Sequence, residues 1–332
     1  MKTFEFQRAT SPEDAVRRAA ASDGTFYAGG TNLLDLMKNG VAQPTTLVDV
    51  RRALQAGVSA TAAGGVLIGA GVTNSAAANH PLIRTRYPVL SQAILSGATT
   101  QLRNMATVGG NLTQRTRCPY FMDTAFSACN KRIPGSGCSA LTGFHREHAI
   151  FGADDSCVAV HPSDMAVALS MLDAQVHTVS TDGARTITIA EFFRLPAGAP
   201  DRDNVLRRGE LITGIELPPS SLSGHCWYLK VRDRHSYAFA LVSVAAGLEL
   251  DGDVIRGAAI ALGGVAATPW RVAEAEQALV GREPGSAAFR DAAQLALSGA
   301  KPLSQNAFKV DLGKHSVVRA LTRAWNNHPE PT

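Results

Sequence analysis

Four of the five cysteines in this 332-residue chain fall within 40 residues, at Cys118, Cys129, Cys138 and Cys157, while Cys226 stands alone. The stretch that holds them, from about 114 to 161, mixes glycine, proline and basic residues with little apolar periodicity. A loop that long is either functional or tied down. An odd cysteine count in a chain whose first residues, Met1 to Thr10, carry no apolar signal core argues against a disulfide scaffold and for a metal site. The spacing C-x10-C-x8-C-x18-C is neither the paired CxxC of a zinc ribbon nor a ferredoxin run. Spacing by itself therefore leaves zinc, an iron–sulfur cluster and four free thiols open. Arg115, Arg117, Lys131 and Arg132 stand around the cysteines, and cations favour thiolates. His145, His148 and His161 flank the segment and read as surface or loop-bracing side chains rather than ligands.

Around this stretch the text is ordinary globular sequence. Hydrophobic residues make up 45% and charged residues 18%, enough for packed cores. A net charge of +4 with dispersed basic residues gives no nucleic-acid footprint. No run reaches the roughly 18 apolar residues of a membrane span. Phe4 to Phe6 reads as a strand and Ser11-Pro12-Glu13-Asp14 as a helix start, with Ala15, Val16, Ala19 and Ala20 as its apolar stripe. Strands at Phe26–Ala28 and Thr46–Val50 complete a small α/β lobe over 1–57. A second lobe spans 58–222 and contains the cysteine insertion. It has a strand and then a turn over Val66–Thr73, helical text from Asn74 to about Leu95, a helix at Met165–Leu172 capped by Pro162-Ser163-Asp164, and strands near Gln175–Val179 and Ile212–Leu217. After the linker Leu217–Ser221, a third segment over 223–325 reads as α+β. Its expected strands are Trp227–Val231, Ala238–Leu250 and Val254–Leu262, and its expected helices Ala266–Leu279 and Ser286–Leu297.

Two glycine turns carry the chemistry. Ala28-Gly29-Gly30-Thr31-Asn32 joins a strand to a helix, and Thr107-Val108-Gly109-Gly110-Asn111 precedes the insertion. Glycines let backbone amides approach phosphate oxygens. Neither turn is a GxGxxG fingerprint or a Walker loop, and either alone is an ordinary tight turn. Lys230 sits in a strand with apolar neighbours, where it can meet an anion or an electron-rich ring, or simply face solvent. Asp164 reads by default as a helix cap. No nucleophile–base pair is present, so no catalytic residue is assigned and the chemistry is expected to be a cofactor's.

Ala28–Leu33, Arg103–Asn111 and Lys230-Val231-Arg232 together resemble the FAD-binding subunits of the xanthine dehydrogenase, or molybdenum hydroxylase, family, over about residues 2 to 325. The resemblance implies a two-lobed FAD-binding fold of the vanillyl-alcohol-oxidase type plus a C-terminal α+β domain. It implies that Tyr27, Ala28, Gly29, Gly30, Thr31, Asn32 and Leu33 form a pyrophosphate loop. Thr107, Gly110, Asn111 and Gln114 would form a second flavin contact, with Ser163 and Asp164 beside them and Ile212 and Lys230 at the isoalloxazine ring. The insertion, with Arg117-Cys118-Pro119-Tyr120-Phe121, Cys129-Asn130-Lys131-Arg132 and Gly135-Ser136-Gly137-Cys138, resembles a narrower group. That group is the periplasmic aldehyde oxidoreductases, whose FAD subunit holds an extra [4Fe-4S] cluster; Cys118, Cys129, Cys138 and Cys157 would be its ligands.

On this resemblance the chain is an electron-transfer subunit of a heterotrimer. Its expected partners are a large molybdenum-cofactor subunit that oxidises an aldehyde to a carboxylic acid, a small [2Fe-2S] subunit, and an external electron acceptor. A subunit of another molybdenum hydroxylase, of the xanthine dehydrogenase or hydroxybenzoyl-CoA reductase type, a standalone flavin oxidase and a zinc-stabilised interaction protein are the rival readings. The chain reads as having no export signal of its own. It would be periplasmic if exported with a signal-bearing partner, and cytoplasmic otherwise.

Overall fold

The computed structural model describes residues 1–326. Three sheets organise them. The first is parallel, with strand Thr46–Asp49 between Glu5–Arg8 and Thr25–Tyr27. All four residues of the central strand are buried, as expected where a parallel sheet is covered. Helix Pro12–Ser22 packs over it through Ala15, Val16 and Ala19. Ser11 accepts the Asp14 amide as N-cap, Pro12 occupies the first turn, and Asp23 closes the helix in the left-handed region at φ 53°. Ala20, expected on the buried stripe, faces solvent.

The second sheet is antiparallel, in the order Val58–Ala60, Val66–Gly69, Leu211–Leu217, Gln175–Ser180 and Gly183–Thr188. The helical text after Asn74 is three helices, Asn74–Asn79, Pro81–Arg86 and Pro88–Ser96. Each proline lacks an amide proton and cannot continue the previous helix, yet fits the first turn of the next. Two more short helices, Thr100–Met105 and Val108–Leu112, lead to the insertion. Helix Asp164–Met171 is buried along its whole length. Its core, with Leu90, Ile94, Leu169, Ile215 and Leu217, extends to Cys226 and Tyr228 of the third sheet.

That third sheet is also antiparallel, in the order Trp270–Arg271, Val254–Gly263, Val242–Asp251 and Cys226–Val231. Helices Ser286–Leu297 and Phe308–Asn326 bury Phe289, Leu297, Val317 and Leu321 against it. Two expectations fail here. Residues 238–241 are loop, so the expected strand Ala238–Leu250 begins at Val242. The expected helix Ala266–Leu279 is instead an edge strand, Trp270–Arg271, followed by the one-turn helix Ala273–Gln277. Pro269 cannot donate within a helix, and Arg271 pairs across the sheet with Ala261.

The insertion has one short helix, Pro119–Met122, and two isolated bridges, Cys129 to Cys138 and Asp154 to Cys157. It has little core of its own. Phe121 packs with Leu36, Tyr120 with Ala140 and Val158, and Ile150 and Phe151 join the C-terminal core. No helix among the described residues is long and apolar enough to cross a membrane.

Candidate functional site

The two glycine turns, 80 residues apart in sequence, line one cleft of about 1130 Å³. Each turn is shaped by its glycines. A Cβ on Gly29 would lie 1.9 Å from the Met105 carbonyl oxygen, so the first turn is pressed against the backbone that leads into the second. Gly30 adopts φ +72°, which side chains other than glycine rarely accept. In the second turn, Thr107 Oγ1 accepts the Gly110 amide at 3.2 Å and starts helix Val108–Leu112. Asn111 Oδ1 then accepts from Gln114 Nε2 at 2.9 Å and from the Ser163 hydroxyl at 2.5 Å.

The cleft brings together Ala28, Gly29, Gly30, Thr31, Asn32, Leu33, Thr107, Gly110, Asn111, Gln114, Asp164, Ile212 and Lys230 from the sequence-expected residues. Two of that set lie off its wall. The Tyr27 ring packs edge-on against Phe6 at 5.9 Å with the Arg51 guanidinium over its face. Strand alternation explains this, since Tyr27 and Phe26 point to opposite sides and Phe26 takes the cleft. Ser163 is buried and caps helix Asp164–Met171 by accepting the Ala166 amide.

Asp164 is therefore the first residue of that helix rather than its cap. Its Oδ2 lies 2.8 Å from Lys230 Nζ, and its Oδ1 accepts from the Tyr228 hydroxyl at 2.7 Å. Lys230 also donates to the Ser96 carbonyl at 3.2 Å. The lysine is thus neither solvent-facing nor unpaired. Burial, reinforced by the Asp164 carboxylate, pushes the Tyr228 phenol well above its ordinary range, which keeps it a donor. Among the described residues lining the cleft, four buried polar atoms have no protein partner: Asn32 Nδ2, Asn74 Oδ1, Arg103 Nε and Arg117 Nε. Asn32 spends its oxygen on the Arg115 amide at 3.2 Å, leaving its two N–H groups for a ligand. Asn74 was not singled out in the sequence, where it reads only as a helix start.

A second, small cavity is lined by Cys118, Cys129, Cys138 and Cys157 together with Asn130, Lys131 and Ser156. All four cysteines of the insertion thus face one space. Among the described residues, however, no three His, Cys, Asp or Glu side chains lie close enough to hold a metal ion. A tetrahedral zinc with bonds near 2.3 Å would draw its sulfurs to about 3.8 Å apart. Burial pushes the Cys118 thiol up to about 12 and raises Cys157 as well, with the nearby Lys131 opposing the rise at Cys157. Lys131 is itself buried and paired to Asp203, which Arg115 also grips at 2.7 Å. Burial raises the Asp203 carboxyl, but Arg115 and Lys131 together hold it below the usual carboxylate range.

The three flanking histidines are all buried, contrary to a surface reading. His145 braces the loop, with Nδ1 3.0 Å from the Ala140 carbonyl and Nε2 3.0 Å from the Ser304 hydroxyl. His161 lies against Phe193 with ring centroids 4.4 Å apart. His148 places Nε2 3.2 Å from Cys118 Sγ. Burial lowers both His148 and His161 to about 4, so both imidazoles are neutral near pH 7. A third space joins the two sites: Cys118 and His148 share its wall with Arg117, Ser163 and Asp164.

Comparison with known proteins follows the same division of the chain. Residues 2–220 match the family described as FAD binding domain in molybdopterin dehydrogenase, and residues 227–327 match the CO dehydrogenase flavoprotein C-terminal domain. The chain is 48% identical over 326 residues to the aldehyde oxidoreductase FAD-binding subunit PaoB of Escherichia coli, covering 98% of this chain and 99% of that one. It is 27% identical to the glyceraldehyde dehydrogenase medium chain of Sulfolobus acidocaldarius, covering 96% and 95%. Among solved structures, quinoline 2-oxidoreductase from Pseudomonas putida 86 superposes with a TM-score of 0.76 at 25% identity, covering 98% of this chain and 99% of that one.

Proposed function

We propose, from the premise that the chain belongs to the FAD-binding family of the molybdopterin dehydrogenases, that it is the FAD- and [4Fe-4S]-binding electron-transfer subunit of a heterotrimeric aldehyde oxidoreductase. The observation that carries the flavin part is the single cleft shared by both glycine turns, with the unpartnered Asn32 amide in its wall. FAD, when bound, supplies a carrier that takes up electrons from one centre and gives them to another. The chain's own groups hold it. The backbone of Gly29, Gly30, Thr31 and Asn32 lines the cleft where it would hold the pyrophosphate, with Asn32 Nδ2 as a further donor. Thr107, Gly110, Asn111 and Gln114 form the facing wall. Ile212 would offer an apolar surface to the ring, and Lys230, held in place by Asp164, would stand beside it.

Four thiols line one cavity, and a [4Fe-4S] cluster takes one thiolate from each of four cysteines. A [4Fe-4S] cluster, when bound, supplies one-electron exchange and cross-links the insertion. Cys118, Cys129, Cys138 and Cys157 would each supply one thiolate. Iron would supply the cationic partner that thiolate ligands require. The proposed division is lobe 1 over 1–57, lobe 2 with its insertion over 58–222, and the C-terminal domain over 223–325. A molybdenum-cofactor subunit and a [2Fe-2S] subunit would deliver electrons, and an external acceptor would remove them. The 48% identity to the Escherichia coli FAD-binding subunit favours this aldehyde-oxidising assembly over the other molybdenum hydroxylases. Export folded with a signal-bearing partner is part of the same proposal.

The test is flavin, iron, zinc and acid-labile sulfide per chain on anaerobically purified protein. One FAD with about four irons and four sulfides is expected. One FAD with about one zinc and no sulfide would make the insertion a structural zinc loop. No retained flavin would sink the reading of the cleft.

A further inference from the structure

Among the described residues, His148 sets an imidazole nitrogen against a cysteine of the insertion, and the C-terminal domain holds it there. Its Nε2 lies 3.2 Å from Cys118 Sγ, while its buried Nδ1 has no partner. The ring leans on Tyr120, at 6.4 Å between centroids. Its backbone is clamped from far along the chain. The His148 carbonyl accepts from Lys309 Nζ at 2.9 Å and from Asn306 Nδ2 at 3.1 Å. Lys309 further donates to the carbonyls of Glu147 at 3.0 Å and Gly264 at 2.6 Å. Asn306 and Lys309 are both fully buried. Holding an ammonium in so buried a place is costly, and burial lowers Lys309 to about 7. The clamp fixes where His148 sits, and with it which sulfur receives a hydrogen bond.

We propose that His148 is a positioning and tuning residue of the cysteine site: Nε2–H donates to Cys118 Sγ, with Lys309 and Asn306 setting its place. The inference rests on the reading of the four cysteines as cluster ligands. A thiolate ligand accepts such a bond, whereas a neutral imidazole nitrogen that was itself an acceptor would have nothing to receive from it. Hydrogen bonds to cluster sulfurs stabilise the more negative, reduced state and so raise the reduction potential. The bond also distinguishes Cys118, which borders the space leading to the flavin cleft, from the other three ligands.

The experiment uses the full-length chain with its iron, reduced with dithionite, in three forms: wild type, His148→Leu and His148→Gln. Potentials come from a redox titration followed by electron paramagnetic resonance. The expected result is a lower cluster potential in His148→Leu at unchanged iron and sulfide. Recovery toward wild type is expected in His148→Gln, whose amide can still donate. Equal potentials in all three would overturn the inference and leave the cluster reading intact. Should the leucine variant lose iron, wild-type protein labelled with ¹⁵N-histidine decides. A weak nitrogen coupling with an exchangeable proton supports the hydrogen bond. No coupling, or the strong coupling of a direct ligand, overturns it. Wild-type protein without iron and sulfide would instead remove the cluster reading, and the inference with it.

Discussion

The Lys230 ammonium and the Asp164 carboxylate meet at 2.8 Å with side-chain exposures of only 4% and 8%, tying the C-terminal sheet to a helix of the flavin-binding lobe at the edge of the cleft. Removing one member strands the other. Lys230→Met is expected to cost about 3–5 kcal/mol of stability, since an unpaired buried charge is left behind. Asp164→Asn combined with Lys230→Met is expected to cost clearly less than the two single losses added. Urea unfolding of the four-member cycle measures this coupling, and additive losses would show that the pair does not act as a unit.

Gly29→Ala has no room for its methyl group against the Met105 carbonyl. The first turn must shift, and it carries the Asn32 amide with it. Loss of FAD from a protein with near-normal far-UV circular dichroism is expected. Gly135→Ala is a control, because its Cβ would meet nothing within 4 Å although its φ is +85°. It is expected to keep its flavin and to lose a little stability through that backbone strain alone.

Lys309→Met leaves the carbonyls of Glu147, His148 and Gly264 without their shared donor. The His148 carbonyl keeps Asn306 Nδ2, so the main loss is at the Gly264 carbonyl, where an unsatisfied buried acceptor costs about 1–3 kcal/mol. The insertion should loosen first, read as faster proteolysis between residues 114 and 161 than elsewhere. A cleavage pattern identical to that of the wild type would count against the clamp.

His161 takes up a proton only near pH 4 in the folded chain because burial disfavours its charge, whereas an unfolded histidine does so near 6.5. Between those values the unfolded state binds more protons, so stability falls as pH drops through this window. The contribution is fully present above about 6.5. His161→Phe, which keeps the contact with Phe193, should flatten the slope of melting temperature against pH between about 4 and 6.5. An unchanged slope would exclude His161 as its source.

Much of this protein is legible in one dimension because its signals are local. Ser11 with Pro12 starts a helix, and Gly30 turns where φ must be positive. The two glycine turns and the four clustered cysteines could be named from their types and neighbours. Lys309 left a trace as well. It begins the stripe Lys309, Gly313, Val317, Leu321 and Ala324 on the buried face of the last helix, a charge written where an apolar residue belongs. What that charge answers to could not be read. Its partners lie between 45 and 162 residues away, and only chain packing brings them within 3 Å. The same holds for the pairing of Asp164 with Lys230, for the side of the strand that Tyr27 faces, and for the histidine that meets Cys118. Sequence determined which groups exist and how each short segment bends. The tertiary structure decided which of them share a desolvated space, because that depends on contacts between segments whose spacing along the chain carries no geometric information.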